Sequence, residues 1–168
     1  QEIYRYALDE RFLGKILIVE NYNMHVGRLF TGGTDVWLNN PIMRKEACGT
    51  SGMKAAASGS INLSLPDGWW LEGYKPELGW KIEPSTTLED HAEMCRQESN
   101  SLYDLLEKEV IPMYYNKENG VYSNQWVEKM KASISDIGVN FSARRMLEDY
   151  SMKLYFPVIK RSAMSTAT

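Results

Sequence analysis

Cysteine is scarce. Only Cys48 and Cys95 occur in 168 residues, far apart and in neither a metal-ligand spacing nor a disulfide framework. Reduced thiols in a cytoplasmic chain are the expectation. Runs of basic residues are missing too: 19 lysines and arginines are interspersed with 22 acidic residues, for a formal net charge of -3. No stretch of the kind that tracks a phosphate backbone is present, which argues against nucleic acid as a partner. No apolar run approaches the roughly 18 residues that a membrane span requires, and no basic-then-apolar leader is seen, so no membrane partner is expected. Internal repeats and low-complexity segments are absent as well. An initiator methionine is lacking: Gln1 leads directly into EIYRYALDERF, which has the helical spacing of Ile3, Tyr6, Ala7 and Phe12, as a piece cut from a longer protein would.

What is present suits a folded chain. A hydrophobic content of 43% over this length is enough for an ordinary domain with its own core. Gly14 reads as a helix stop, followed by the β-branched run KILIVE (15–20). Further candidate strands are TDVWL (34–38), INLSL (61–65) and GWKI (79–82). NMHVGRLFTGG fits a short helix closed by Gly32 and Gly33. Strand, helix, strand, loop, helix, strand is the order of an α/β protein with a Rossmann-like parallel sheet.

From Thr86 the pattern becomes helical, in LEDHAEMCRQESNSLYDLLEKEVIPMYY, SNQWVEKMKASIS and SARRMLEDYSMKLYF. Ser123 and Ser142 stand where N-caps belong, and Pro112 and Pro157 are expected to end or kink their helices. The expected organisation is a Rossmann-like portion over 1–85 and a helical portion over 86–168 packed on the same domain.

The chemistry concentrates in EACGTSGMKAAASG (46–59). Ligands of parallel sheets gather beyond the carboxyl ends of the strands, where loops enter helices. The amides of Thr50, Ser51 and Gly52 would be open donors at such a helix start, an anion site by geometry. The same run can equally be a capped helix start with Lys54 in solvent. Lysine at the start of an alanine-rich helix is unfavourable against the helix dipole, whereas an amine there can form a Schiff base with an aldehyde cofactor whose phosphate rests on the helix end. The alanines at 55–57 either pack the helix closely on its sheet or reflect simple helix propensity.

GGTDVWLNNPIMRKEACGTSGMKAAASGSINLSLPDGWWLEGY, with ILIVENYNM before it and SARRMLEDY near the end, resembles the carboxyl-terminal domain of α-glucan phosphorylases, the short bacterial type in particular. The resemblance runs from about residue 10 to 157. It implies the carboxyl-terminal half of a two-domain GT-B glycosyltransferase fold. It also implies an enzyme that releases glucose 1-phosphate from glycogen or maltodextrin with inorganic phosphate and pyridoxal 5'-phosphate. By the same resemblance, Lys54 matches the cofactor lysine and Glu46 the carboxylate that binds hydroxyls of the transferred glucose. Cys48 and Gly49 match positions whose backbone amides face the sugar, and cysteine departs there from the commoner serine. Thr50 and Ser51 match the amides that hold the cofactor phosphate, Ser51 standing where many relatives have glycine. Tyr22 matches a tyrosine near the cofactor.

Other residues read as structural. Trp69 and Trp70, with Glu72 and Tyr74, could stack on a sugar, but paired tryptophans favour domain packing. His25, His91 and Cys95 read as helix or surface residues, and Arg144 and Arg145 as solvated cations.

The basic residues that bind substrate phosphate in this family, and its amino-terminal half, have no counterpart here. Lys54 and Glu46 would then form one wall of a cleft, and the 168 residues alone are expected to be inactive. Expected partners are an α-1,4-glucan, phosphate, the amino-terminal domain of the same protein and a second copy, since the family often dimerises. Two other readings stand beside this one. A nucleotide-sugar glycosyltransferase of the same fold would have no use for a Schiff-base lysine at position 54. A non-catalytic glucan-binding or regulatory domain would belong to a chain without the upstream basic residues.

Overall fold

The computed structural model describes residues 2–87, 90–117 and 120–165. The chain divides into two compact units, Gln1–Phe30 and Thr31–Thr168.

In the first unit, α1 (Glu2–Leu8) stops well before Gly14. The Asp9 carboxylate accepts from the Arg11 amide at 3.0 Å and pairs with its guanidinium, closing a turn where the helix would continue. Gly14 sits in a later turn with φ +73°. KILIVE forms no strand. Residues 2–30 offer it no second strand, and Leu17, Ile18 and Val19 are exposed; β-branched composition makes a strand only where a ladder and a packed face exist. α2 (Met24–Gly33), whose last three residues belong to the second unit, begins where the Asn23 side chain accepts from the Val26 amide and ends on the predicted glycine pair.

The second unit is built on three parallel strands in the order β1 (Val36–Asn39), β2 (Ile61–Ser64), β3 (Gly79–Lys81). Val36 pairs with Ile61, and Asn62 with Gly79. Every residue of β2 is buried, as a central parallel strand requires. Its alternation divides the core. Ile61, Leu63 and Leu65 join Trp80, Ile82, Val110 and Trp126 on one face. On the other, Asn62 meets α3 (Thr50–Ala57), its Nδ2 donating to the Gly52 carbonyl at 3.1 Å. A second cluster joins Ala56 of α3 to Trp69, Trp70, Leu78 and Ile137. Between β2 and β3 lies the short α4 (Trp70–Gly73).

Long helices follow. α5 (His91–Leu105) is capped by Asp90, which accepts from the Ala92 and Glu93 amides; Leu88 and Glu89, at the head of the predicted helical run, lie outside the described residues. α6 (Ile111–Tyr115) and α7 (Asn124–Asn140) come next, then α8 (Ala143–Tyr150) and α9 (Phe156–Ser165). Ser123 and Ser142 cap α7 and α8 through the Trp126 and Arg145 amides, as their sequence positions indicate. α7 touches both core clusters, through Trp126 and Ile137.

The two prolines do not end their helices. Each follows a wide π-turn, Leu106–Val110 before Pro112 and Ser151–Tyr155 before Pro157. Proline offers no amide and crowds the carbonyl four residues back; one extra residue in the preceding turn opens the helix there. Beyond α7 the apolar side chains of Leu147, Tyr150, Leu154, Phe156 and Ile159 are exposed.

Candidate functional site

The loops leaving β1 and β2 emerge at the same edge of the sheet, because the strands are parallel. The first, residues 40–49, carries Glu46, Cys48 and Gly49 into α3. Gly49 is the N-cap, at φ 76° and ψ 49°, a left-handed conformation that other residues reach only with strain. With no side chain, it caps none of the first amides of α3, but its carbonyl accepts from the Gly52 amide at 3.1 Å, so of the three amides expected to be open Gly52 is not, and Thr50 and Ser51 remain. It also admits the Glu46 carboxylate: a Cβ on Gly49 would lie 2.9 Å from Glu46 Oε1. Carboxylate and open helix end thus share one turn of chain.

α3 presents two faces. Gly52, Ala55 and Ala56 are buried, while Thr50, Lys54 and Ala57 form the exposed stripe. Close packing therefore accounts for Ala55 and Ala56, and Ala57 is left to propensity. Lys54 does not open the helix. Thr50 does, and Lys54 falls in the last turn, where the helix dipole favours a cation. The expected local penalty on this lysine is therefore absent. Lys54 shares the exposed stripe with Thr50, one turn back. A primary amine and a set of unpaired amides on one exposed helix face can hold a ligand with an electrophilic carbon at one end and an anion at the other.

Glu46, Cys48, Gly49, Thr50, Ser51 and Lys54 thus lie on one loop and the helix it enters, Lys54 in the last turn of that helix. Tyr22 belongs to the first unit, where it is 67% exposed with its hydroxyl over Gly27. The paired tryptophans are core: Trp70 is 0% exposed, and Trp69 packs edge-on against Trp70 and Phe141. No sugar can stack on them. Arg144 and Arg145 pair with Glu148 and Asp149 one turn on. His91 and Cys95 share an exposed face of α5, with the sulfur 3.6 Å from Nδ1.

The sequence reading missed the second loop. Asp67, after β2, accepts from the Glu46 amide at 3.2 Å, and the Trp69 amide donates to the Cys48 carbonyl at 2.9 Å. The signal for it was Pro66-Asp67-Gly68, a turn tripeptide directly after a predicted strand at the same sheet edge. Among the described residues, no group of acidic, histidine and cysteine side chains could hold a metal ion, and no helix is long and apolar enough to cross a membrane.

The fold is an α/β domain with a three-stranded parallel sheet, and a carboxylate, an open helix start and an exposed lysine follow one another at one edge of it. The comparisons with known proteins are more particular. No family model matches the chain. It is 42% identical over 160 residues to a protein named glycogen phosphorylase in Aquifex aeolicus, covering 95% of this chain and 23% of that protein. It is 43% identical over 155 residues to maltodextrin phosphorylase of Thermococcus litoralis, covering 92% of this chain and 18% of the relative. Identity to glycogen phosphorylase of Mycobacterium tuberculosis H37Rv is 40% over 157 residues, 94% of this chain and 18% of the relative. Over this matched length the chain belongs to the glycogen/maltodextrin phosphorylase family. It spans about a fifth of the length of these relatives.

Proposed function

We propose that the chain is the carboxyl-terminal part of a pyridoxal phosphate-dependent α-1,4-glucan phosphorylase, which transfers a terminal glucose unit of glycogen or maltodextrin to inorganic phosphate. In this reading the three-stranded sheet belongs to the carboxyl-terminal Rossmann-like half of a GT-B fold. The arrangement of α3 carries the proposal: an N-terminus left open by Gly49, with Lys54 on the same exposed face and Glu46 folded against the cap.

These residues fit the cofactor. Lys54 would hold its aldehyde carbon, and the Thr50 and Ser51 amides its phosphate, a backbone cradle suited to an anion. When bound, pyridoxal phosphate supplies its phosphate group as the acid–base partner of the transfer. Glu46 orients the glucose by accepting from its hydroxyls, and a charged acceptor makes such bonds strong. The Cys48 and Gly49 amides complete the sugar side. Only the main chain acts at position 48, so cysteine serves there as well as serine. Tyr22 is proposed as a neighbour of the cofactor in the complete enzyme.

The substrate's phosphate and the far wall of the sugar pocket are assigned to the amino-terminal domain of the longer chain. The exposed apolar residues from Leu147 to Ile159 supply surface for contact with that domain or with a second copy. Two exposed free thiols suit a reducing, cytoplasmic setting.

The test is borohydride reduction of the full-length polypeptide followed by peptide mapping. A pyridoxyl group on Lys54 is expected; an active polypeptide with Lys54 unlabelled refutes the assignment.

A further inference from the structure

The turn that carries Glu46, Cys48 and Gly49 is moulded on the loop after β2. Asp67, 9% exposed, uses both carboxylate oxygens on main-chain amides: Oδ2 accepts from Glu46 N at 3.2 Å and Oδ1 from Gly68 N at 3.0 Å. Among the described residues it enters no ion pair, so these two amides account for its charge. Next to it, Gly68 stands at φ +54°, and a Cβ there would lie 2.6 Å from the Cys48 carbonyl oxygen. That oxygen in turn accepts from Trp69 N at 2.9 Å. One side of the turn is therefore tied to the second loop at two points, Glu46 N and Cys48 O. Lys54 lies outside this clamp.

We propose that Asp67 is a positioning residue for the sugar-facing turn, acting through the main chain of Glu46; this rests on the reading of that turn as the glucose side of a phosphorylase. Asp67 sets where the Glu46 carboxylate and the Cys48 and Gly49 amides stand, and leaves the hold on the cofactor to α3. A carboxylate is suited to the place because the two amides reach different oxygens of the group, and in a carboxylate both oxygens accept. Asparagine of the same shape would turn an NH2 donor toward one of the amides. The side chain would still fill its space, while one end of the clamp would open.

The experiment uses the full-length polypeptide with Asp67→Asn, alone and combined with Glu46→Gln. Asp67→Asn is expected to retain its pyridoxal content and to lose about 10-fold in kcat/KM for maltodextrin phosphorolysis, the scale of one charge-assisted hydrogen bond. In the Glu46→Gln background the same change is expected to cost less than about 2-fold, because its effect passes through Glu46. Equal losses in both backgrounds, or full activity of Asp67→Asn, overturn the proposal. So does an Asp67→Asn polypeptide that fails to fold or loses its cofactor, since Asp67 would then serve stability or α3. Hydrogen exchange supplies an arm independent of activity: the Glu46 and Gly68 amides should exchange faster in Asp67→Asn, and unchanged protection overturns the clamp. If the unsubstituted polypeptide shows no phosphorolysis, the phosphorylase reading fails while the exchange result still decides the clamp.

Discussion

Gly52→Ala should destabilise this protein, although the same change in most helices does the opposite. Gly52 lies inside α3, where replacing glycine by alanine ordinarily gains about 1 kcal/mol from propensity. Here the new Cβ would come 2.7 Å from Asn62 Oδ1, 2.9 Å from Trp69 Nε1 and 3.1 Å from Trp69 Cζ2. Asn62 sits on the central strand and Trp69 is held by ring contacts, so neither yields freely. Relief means lifting the start of α3 off β2, which breaks the Asn62 Nδ2 to Gly52 carbonyl bond. Overpacking together with a lost buried hydrogen bond costs about 3 kcal/mol. Against the propensity gain, a net loss of about 2 kcal/mol remains, lowering the thermal midpoint by about 4–8 °C for a chain of this size. Unfolding followed by circular dichroism measures it, with Ala57→Gly on the exposed face as the control for propensity alone. A Gly52→Ala protein as stable as the parent, or more so, would refute the close packing of α3 on Asn62 and Trp69.

Gly49→Ala should cost function more than stability. A left-handed alanine costs about 1–2 kcal/mol, and its Cβ displaces the Glu46 carboxylate, so phosphorolysis by the full-length polypeptide is expected to fall at least about 10-fold while the fold persists. Acid should weaken the contact between α7 and the loop after α4. The ammonium of Lys75, and then the Asn140 amide, hold the Asp136 carboxyl below its ordinary 3.8. Stability from this group is thus present above that value and lost as pH falls below it, through the lowered pKa of the folded state, and Asp136→Asn should flatten that part of an acid-unfolding curve. The 168-residue chain by itself should release no glucose 1-phosphate from maltodextrin and phosphate; measurable release would show that one wall suffices.

Local signals carried much of this structure. Ser123 and Ser142 were legible as caps because a cap is a contact across three residues, and INLSL was legible because a buried strand must be apolar throughout or satisfy its polar groups nearby. Two features escaped. KILIVE has strand composition, but a strand also needs a neighbour, and residues 2–30 provide none. Lys54 reads from sequence as a cation at an unfavourable helix start, but α3 begins at Thr50 and ends at Ala57, so a residue one turn in already lies in the last turn. In the candidate site, Glu46 through Lys54 stood out as one continuous run. Asp67 did not, since its value lies in two amides, one of them 21 residues away. Spacing along a chain does not reveal bonds of that reach.

The distance from Asp67 to the turn it shapes also sets an order of events in folding. The turn borrows its form from a loop on the far side of β2, so it cannot hold that form until β1 and β2 have paired. Parallel pairing comes late, because the closure of a long crossover must precede its contacts. Before that stage α3, only eight residues long, is itself marginal in water, and no carboxylate is fixed beside its first turn. On the proposed reading of this loop, the sugar side and the cofactor side of the site would be assembled together, and only when the sheet is complete.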